Sequence, residues 1–444
     1  MGRAFPLLAS GVLLAAMAGC SLCHSRQSCC PSCPPVSDET PPPDMVRVPQ
    51  EPAIRELAAS VLPPQMPNDS ARTDAYRAIA PQVCQCLSVK HAPLADGFDS
   101  QRRQLEEQQA KVSCRQSCKA EKRQKQLAYQ QAMLLYSALE SRDQAAGAAL
   151  EWYFQLAGAE AKADLLDLSL ERGRNTLGRI EKLKGAGIPL PAPIEEYQRQ
   201  IVDLQLQQGQ NQLTIEQLNS KLRLAMGYSF KQPWRIWPDP GMPLGTPSDA
   251  PIPLAPDAEA AVQLGLHQRP QLLLLRYMIA HLDRDTLGAS RILLQTINPL
   301  LAMSSPEPSS KLLMILAKIL HIQPGQEDEL ERVRAQLCDY LHERERTVEA
   351  EIRAAVYEIG GRRETILRAR QAADSWQDRI RDLEKQQSEG LKGPLSLASA
   401  YLEWYKARGE VVNEFLRWKI AIVKLKQAQG ILPAECGYSD CKEN

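Results

Sequence analysis

The chain carries an internal repeat, and this repeat limits the folds that the sequence can adopt. When the sequence is shifted by 203 residues, similar residues fall on one another. The matched pairs include Phe154 with Tyr357, Leu177 with Ile380, Ile180 with Leu383, Leu213 with Leu416, Leu222 with Leu425 and Gly227 with Gly430. This period is much longer than that of a solenoid array. We therefore expect two copies of one helical hairpin that pack as equivalents.

Composition favours long helices over compact mixed domains. Only 5% of the residues are aromatic, and long proline-free stretches are rich in Leu, Ala, Gln, Glu and Arg. The expected fold class is mostly α, with two repeated long helical hairpins of the coiled-coil, α-barrel type. The 53 basic and 53 acidic residues cancel. No overall charge would therefore hold the protein on nucleic acid, and no nucleic-acid partner is expected.

The first residues are typical of an export signal. Arg3 precedes an apolar segment, Phe5 to Met17, that is too short to span a bilayer as a mature helix. Met17-Ala18-Gly19-Cys20 resembles a bacterial lipobox, which predicts cleavage before Cys20 and acylation of its thiol. The alternative is an ordinary secretory signal. With Ser21 next in the chain, the lipobox favours a lipid-anchored protein of the cell outer membrane that faces the periplasm.

Prolines mark the expected domain boundaries. We expect a signal peptide over 1–19, a Cys- and Pro-rich tether over 20–80, a first helical repeat over 81–230, a Pro-rich linker over 231–256, a second helical repeat over 257–432 and a tail over 433–444. No proline occurs from Leu94 to Ile188, so a helix far longer than average is expected there. Within it, residues 102–126 are basic but interleaved with glutamates. This pattern favours a solvated helix face, with a basic partner surface as the alternative.

Twelve cysteines suit an oxidising compartment. Four of them lie close to His24: Cys23, Cys29, Cys30 and Cys33. Their spacing could hold zinc, but the surrounding prolines and serines are more typical of a tether, and no metal or other cofactor is expected. Six further cysteines could form disulfides. Cys84 and Cys86 could bond to Cys114 and Cys118, or these thiols could stay isolated. Cys436 could bond to Cys441.

The second helix of each hairpin has a heptad seam. The seam residues are Ile201, Ile215, Leu218 and Leu222 in the first copy, and Trp404, Val411, Trp418 and Leu425 in the second. Other apolar residues, Leu206, Leu213, Phe415, Ile420 and Ile422, lie outside the seam. Each helix thus has two apolar faces, and these predict neighbours on both sides, as in a closed ring of helices. The alternative is a four-helix bundle that hides the second face within one chain.

Two glycine- and proline-rich segments are the expected hairpin tips. The first contains Gly185, Gly187 and Pro189, where a glycine ends one helix and a proline begins the next. The second contains Gly390, Gly393 and Ser396. In both copies the tip glycine, Gly187 or Gly390, precedes the closing glycine of the repeat by 40 residues.

The segment Gly390 to Ala400 resembles the periplasmic turn of TolC-like outer-membrane efflux proteins. Leu264 to Leu272, with its Arg269-Pro270, resembles the family's opening of a repeat, and 224–227 and 428–430 resemble its Leu-Leu-Gly endings. The resemblance covers roughly residues 84 to 432. It implies a trimer whose hairpins close into a periplasmic tunnel. An inner-membrane pump would feed this tunnel through a periplasmic adaptor that docks on the tips.

Two departures from the family pattern stand out. Pro193 and Ser396 occupy the positions of the family's tip aspartates, so no gate residue is carried over. Family members also insert two membrane strands in each half, and the alternating pattern of such strands is missing from Pro93 to Phe154. The apolar run from Leu312 to Leu320 is continuous, which favours a short buried helix, with one or two strands as the alternative. We therefore expect little or no β-barrel.

The sequence favours a transport component over an enzyme. The six histidines are scattered, and neither a metalloprotease motif, a nucleophile elbow nor a phosphate-binding loop is present. His281 and Asp283 could act in acid-base chemistry but are more typical of a solvated face. The expected function is a passive conduit of an efflux or type I secretion-like system. The alternative is a non-conducting structural or scaffold lipoprotein of the cell envelope.

Overall fold

The computed structural model describes residues 76–113, 118–185, 194–231, 234–238, 252–291, 326–389 and 394–438. The strands are β1 (Tyr76–Ile79) and β2 (Arg235–Pro238). The main helices are α1 (Pro81–Lys90), α2 (Pro93–Ser113), α3 (Cys118–Gly185), α4 (Ile194–Ala225), α5 (Ala258–Gln268), α6 (Pro270–Ala280), α7 (Gln326–Ser388) and α8 (Pro394–Gln429). A 3-10 turn, Ala434–Cys436, follows α8.

Two long helical hairpins form the frame of the fold, which confirms the expected mostly α architecture. Helix α3 packs against α4, and helix α7 packs against α8. The same position of each hairpin carries a polar contact between its two helices. Asn211 Nδ2 donates to Ala159 O at 2.7 Å in the first hairpin. Arg362 Nη1 donates to Glu414 Oε2 at 3.1 Å in the second, and these residues are the repeat equivalents of the first pair.

Both hairpins end in the same left-handed cap. Gly227 has φ 72° and Gly430 has φ 73°, a region that favours glycine. In the first cap, the backbone N–H of Gly227 donates to Leu224 O at 3.1 Å and that of Tyr228 donates to Arg223 O at 2.8 Å. The second cap repeats this pattern 203 residues later. At each cap, these two hydrogen bonds satisfy backbone carbonyls that the last helical turn leaves without partners.

The proline-free stretch is not one rod. Helix α2, which ends at Ser113, packs back along α3, which begins at Cys118. Arg142 of α3 forms an ion pair with Asp99 of α2 at 2.5 Å, and small residues, Ala92, Ala95 and Ala138, fill the contact between the helices. Leu105 and Val112 are the only larger apolar residues of 101–113. A single exposed rod would leave the alanine contact in water, and the fold-back buries it.

A large apolar core joins the two hairpins. It contains Leu156 of α3, Leu222 of α4, Ile352 of α7 and Phe415 of α8, all almost fully buried. Burial of such side chains stabilises a fold by about 1.5–3 kcal/mol each. Among the described residues, no helix combines the length and apolarity needed to cross a bilayer.

A small parallel sheet lies beside this core. Strand β1 pairs with β2, with Tyr76 opposite Arg235 and Ile79 opposite Pro238. The Tyr153 hydroxyl donates to Ile79 O at 2.6 Å, which fixes β1 on α3. Residues 235–238 fall within the range that the sequence assigned to a Pro-rich linker, so part of that range forms a strand.

The cysteine pairing differs from the expected one. Cys86 of α1 is bonded to Cys436 in the turn after α8, with Cα atoms 5.2 Å apart, while Cys84 is buried and free. Gln85 Nε2 donates to Leu432 O at 3.0 Å in the same contact. The pairs proposed for Cys86 and Cys436 were wrong because the C-terminal turn packs on α1, a contact between residues 350 positions apart. The free Cys84 agrees with the alternative of an isolated thiol. Cys114 and Cys441 and the side chain of Cys118 lie outside the described part.

The disulfide should stabilise the fold substantially, because it closes a very long loop in the unfolded chain. We expect the double substitution Cys86→Ser and Cys436→Ser to lower the free energy of unfolding by about 2–5 kcal/mol. The measurement is denaturant unfolding of the full chain. Cys84→Ser, which leaves the disulfide intact, should cost less. Peptide mapping that joins Cys86 to Cys114 or Cys118 would contradict the pairing.

Candidate functional site

The closest contact between the two hairpins is made by α8 on α3. A Cβ at Gly158 of α3 would lie 3.2 Å from Leu416 Cδ1, and a Cβ at Gly409 of α8 would lie 3.4 Å from Leu165 Cδ1. A Cβ at Gly147 would lie only 2.5 Å from Gln427 Cδ. Glycines therefore let the two helices approach closely, because at each position the side chain of the opposing helix packs directly on the glycine.

Helix α4 has an exposed apolar stripe, whereas the equivalent positions of α8 are buried or half-buried. The α4 stripe consists of Val202, Leu206, Leu213 and Leu224, which are 61%, 61%, 65% and 71% exposed. With 3.6 residues per turn, these four side chains fall within about 40° of one another on the helix. Their repeat equivalents on α8 are Tyr405, Gly409, Leu416 and Gln427, and this set includes the α8 side of the contact with α3.

Helix α7 has the matching exposed stripe. The α7 stripe consists of Ala350, Tyr357, Gly361 and Arg368, all of them exposed. Their repeat equivalents on α3 are Gly147, Phe154, Gly158 and Leu165, which include the α3 side of the contact with α8. Tyr357 is 75% exposed, whereas its equivalent Phe154 is buried, and a Cβ at Gly361 would meet nothing within 4 Å. The exposed stripes on α4 and α7 are thus the repeat equivalents of the two sides of the contact between α3 and α8.

A polar groove of about 1040 Å³ runs along α3 between α4 and α8. Its walls include the equivalent lysines Lys221 and Lys424 and carboxylates of α3, α4 and α8 such as Glu151, Asp203 and Glu410. Charges of both signs face the same water-accessible space, so the groove does not select one sign of ligand. Its chemistry suits passage or solvation better than a specific binding site.

Two buried carboxyl groups of α3 have raised pKa values. Burial, assisted by the nearby carboxylate of Glu140, raises the pKa of Asp143 to about 8, although Asp143 accepts a hydrogen bond from the Leu432 N–H at 3.3 Å. Burial and the carboxylate of Asp164 raise the pKa of Glu160 to about 7. Asp143 contacts the segment after α8, so its protonation state affects how strongly the C-terminal turn binds to α3.

Arg269 fixes the junction of α5 and α6 to the end of α8. Its Nη1 donates to Ala428 O at 3.0 Å and lies 2.5 Å from Glu351 Oε2 of α7. A Cβ at Gly430 would lie 2.6 Å from Pro270 Cδ. The Arg-Pro pair singled out in the sequence therefore has a structural role, because it holds the closing cap of the second hairpin.

The seam residues lie mostly inside the chain. The buried seam residues of α4 are Ile201, Ile215, Leu218 and Leu222. On α8, the seam residues Trp418 and Leu425 are buried, and Trp404 and Val411 are half-buried. Trp418 is almost fully buried in the main core. Of the two apolar faces expected on each helix, both faces of α8 are buried or half-buried within the chain. On α4 the face with Leu206 and Leu213 remains open.

The expected tips and anchor fall largely outside the described residues. Gly185 ends α3, and Ser396 lies in the first turn of α8. Four tip residues lie outside the described residues: Gly187, Pro189, Gly390 and Gly393. The same is true of Cys20 and of the four cysteines near His24. Among the described residues, no group of three or more His, Cys, Asp or Glu side chains could hold a metal ion.

The histidine considered for acid-base chemistry has a structural role. His281 stacks on Tyr277, with ring centroids 4.1 Å apart, and its Nδ1 is 2.9 Å from Tyr277 O. Asp283 Oδ1 accepts hydrogen bonds from the backbone N–H groups of Asp285 and Thr286 and shapes a turn. Both contacts stabilise the loop after α6 instead of assembling a reactive pair.

Solved structures share this fold. The chain superposes on a membrane protein from Pseudomonas aeruginosa with TM-score 0.56 at 13% identity, covering 84% of this chain and 95% of that one. The outer membrane protein VceC from Vibrio cholerae gives 0.54 at 12% identity, covering 78% and 95%. The CmeC outer membrane channel of Campylobacter jejuni gives 0.51 at 12% identity, covering 70% and 68%. The resemblance to TolC-like proteins is therefore confirmed at the level of the fold.

The similarity to known proteins is found in the structure alone. No family model matches the chain, and no curated protein matches it in sequence.

The raised pKa of Asp143 predicts that stability falls as pH rises. The folded chain holds a proton on Asp143 up to about pH 8, whereas the unfolded chain releases it near pH 4, so stability should decrease across this window by up to ~1.4 kcal/mol per pH unit. Asp143→Asn keeps the acceptor for Leu432 N–H and should remove this part of the slope. Thermal unfolding from pH 5 to 9 measures it. The exposed control Asp203→Asn should follow the unsubstituted chain, and equal slopes in all three proteins would contradict the assignment.

Proposed function

We propose that this chain, which has the fold of TolC-like outer-membrane channels, is the outer-membrane and periplasmic component of an efflux or type I secretion-like system. Several copies assemble into a passive helical conduit, and the resemblance to the family favours three copies. The observation that carries this proposal is the pair of exposed stripes on α4 and α7. A passive role also fits the scattered histidines, so the protein is proposed not to be an enzyme.

The contact of α8 on α3 serves as a template for the contact between copies. At the repeat offset of 203 residues, α4 is the equivalent of α8, and α7 is the equivalent of α3. The same contact can therefore form between α4 of one copy and α7 of another. The pair Leu416 with Gly158 then becomes Leu213 with Gly361 of the next copy. The pair Gly409 with Leu165 corresponds to Leu206 with Arg368 of the next copy. The pair Gln427 with Gly147 corresponds to Leu224 with Ala350 of the next copy.

This contact joins unlike surfaces. Each copy offers its α4 stripe to one neighbour and its α7 stripe to the other, which is a head-to-tail arrangement that can close into a ring. Docking would cover the three leucines and Val202, which are otherwise exposed to water on one face of α4. The repeat therefore explains why one contact lies within the chain and an equivalent one lies between chains.

The remaining parts of the proposal come from the sequence and the resemblance. The tips around Gly187 and Gly390 dock a periplasmic adaptor, which connects the conduit to an inner-membrane pump. Acylated Cys20 anchors the chain to the outer membrane, and residues 20–80 form the tether to the first helical repeat. The Cys86–Cys436 disulfide supports export, because such bonds persist in oxidising compartments.

Charged residues on the α4 stripe should prevent assembly while the chain remains folded. We expect Leu206→Glu with Leu213→Glu to convert the oligomer into monomers, because a docked stripe would bury two unpaired carboxylates. The measurement is the mass of the purified full chain by light scattering, with helicity as a check on folding. The control pair is Gln205→Glu with Gln212→Glu, two exposed positions on another face of α4, and it should leave the mass unchanged.

Conductance tests the conduit itself. The purified oligomer in a planar bilayer should give stable single channels, and the stripe variant should give none. An intact oligomer that stays silent would refute conduction and favour a non-conducting envelope scaffold. An unchanged mass for the stripe variant would place the interface elsewhere.

The template also predicts which residues meet across the interface. Leu206→Cys combined with Arg368→Cys should allow an oxidised cross-link between copies that closes a covalent ring, seen as a ladder of masses without reductant. Asp374 lies about 120° around α7 from Arg368, so Leu206→Cys combined with Asp374→Cys provides the control. The Leu206 and Asp374 pair should cross-link weakly. Equal cross-linking of both pairs would contradict the register.

A further inference from the structure

The α2–α3 fold-back forms a two-helix arm whose surface is cationic. We define the cationic arm as residues 101–113 of α2 and 118–125 of α3. No side chain that is described in these two ranges is buried. Seven cations occur there, Arg102, Arg103, Lys111, Lys119, Lys122, Arg123 and Lys125, against three carboxylates, Glu106, Glu107 and Glu121. An excess of four positive charges is therefore concentrated on one arm of a chain whose formal charge is zero.

Ion pairs account for only some of these cations. Arg102 lies near Asp99 and Glu106, Lys122 is 2.5 Å from Asp285, and Lys125 is 3.8 Å from Glu121. Lys111, Lys119 and Arg123 are exposed and form no ion pair within the described part of the chain. Lys111 precedes the fold-back and Lys119 follows it, so these charges gather at the outer end of the arm.

The arm lies at the end of α3 that is remote from the first tip. Helix α3 has 68 residues and is therefore about 100 Å long, with the arm at its first residue and the tip after its last. If the tips meet an adaptor in the periplasm, the arm faces the membrane. This step depends on the proposed function. The arm is poor in apolar residues, so it can lie on a charged membrane surface but has nothing to insert into the hydrocarbon.

We propose that the cationic arm binds the anionic phosphate headgroups of the membrane. Each lysine or arginine close to an anionic lipid surface contributes about 1 kcal/mol, and salt screens the attraction. Lys111, Lys119 and Arg123 carry most of the binding. Arg102, Lys122 and Lys125 are paired with carboxylates, and Arg103 lies farther from the outer end of the arm. The arm thereby orients the conduit on the membrane in addition to the acyl anchor at Cys20.

Vesicle binding tests this proposal. The full chain with Cys20→Ser, which removes the acylated thiol, is mixed with vesicles of phosphatidylcholine containing 30% phosphatidylglycerol or none. We expect flotation with the anionic vesicles only, and its loss at raised salt. The triple substitution Lys111→Glu, Lys119→Glu and Arg123→Glu should weaken the partition by roughly 100-fold or more. The matched control, Arg174→Glu, Lys182→Glu and Arg199→Glu, makes the same charge change near the tip and should bind as the unsubstituted chain does.

Several outcomes would overturn the proposal. They are equal loss in both triple variants, binding independent of phosphatidylglycerol, and arm-dependent binding of polyglutamate without binding of anionic vesicles. The last result would assign the arm to an acidic protein. Helicity and melting temperature check that each variant is folded. Because vesicle flotation does not depend on conductance or on assembly, failure of the proposed conduit and failure of the arm proposal remain distinguishable.

Discussion

The close packing of α8 on α3 is the contact on which the rest of the structure depends. Gly147, Gly158 and Gly409 bring two helices of different hairpins together, and the large core forms beside this contact. Interiors of proteins are packed as densely as organic crystals, so a methyl group added at Gly158 would require Leu416 to shift. The contact joins the repeats into one unit and also defines the geometry that two exposed stripes could reproduce.

The ends of the chain are fixed against one another around this frame. Gln85 and Cys86 of α1 hold the segment after α8, and Asp143 of α3 accepts a hydrogen bond from the same segment. A neutral Asp143 suits this site, because a buried charge without a close partner would be costly. The disulfide, the buried carboxyl and Arg269 thus act on one region, where the second hairpin closes onto the first.

The sequence predicted features that depend on local pattern or on the repeat. Gly227 and Gly430 were correctly recognised as equivalent ends, because a helix terminus with a positive φ favours glycine. The pairing of Cys86 with Cys436 and the burial of Asp143 could not be predicted, because both result from contacts between distant parts of the chain. The two apolar faces of α4 and α8 were visible in the heptads. Periodicity alone does not show which face the chain itself covers.

The duplicated hairpins differ in a way that bears on assembly. The equivalents of Leu206 and Leu224 on α8 are Gly409 and Gln427, which fit against α3 at short distance. On α4 the same positions carry leucines, and the facing positions on α7 are the small residues Gly361 and Ala350 and the long Arg368. The internal contact is therefore closed by glycines of both helices, whereas the open one combines large apolar residues with small ones. A large residue opposite a glycine or an alanine preserves the close approach of the helices at two of the three pairs, Leu213 with Gly361 and Leu224 with Ala350. At these two pairs the open contact can share the geometry of the internal one.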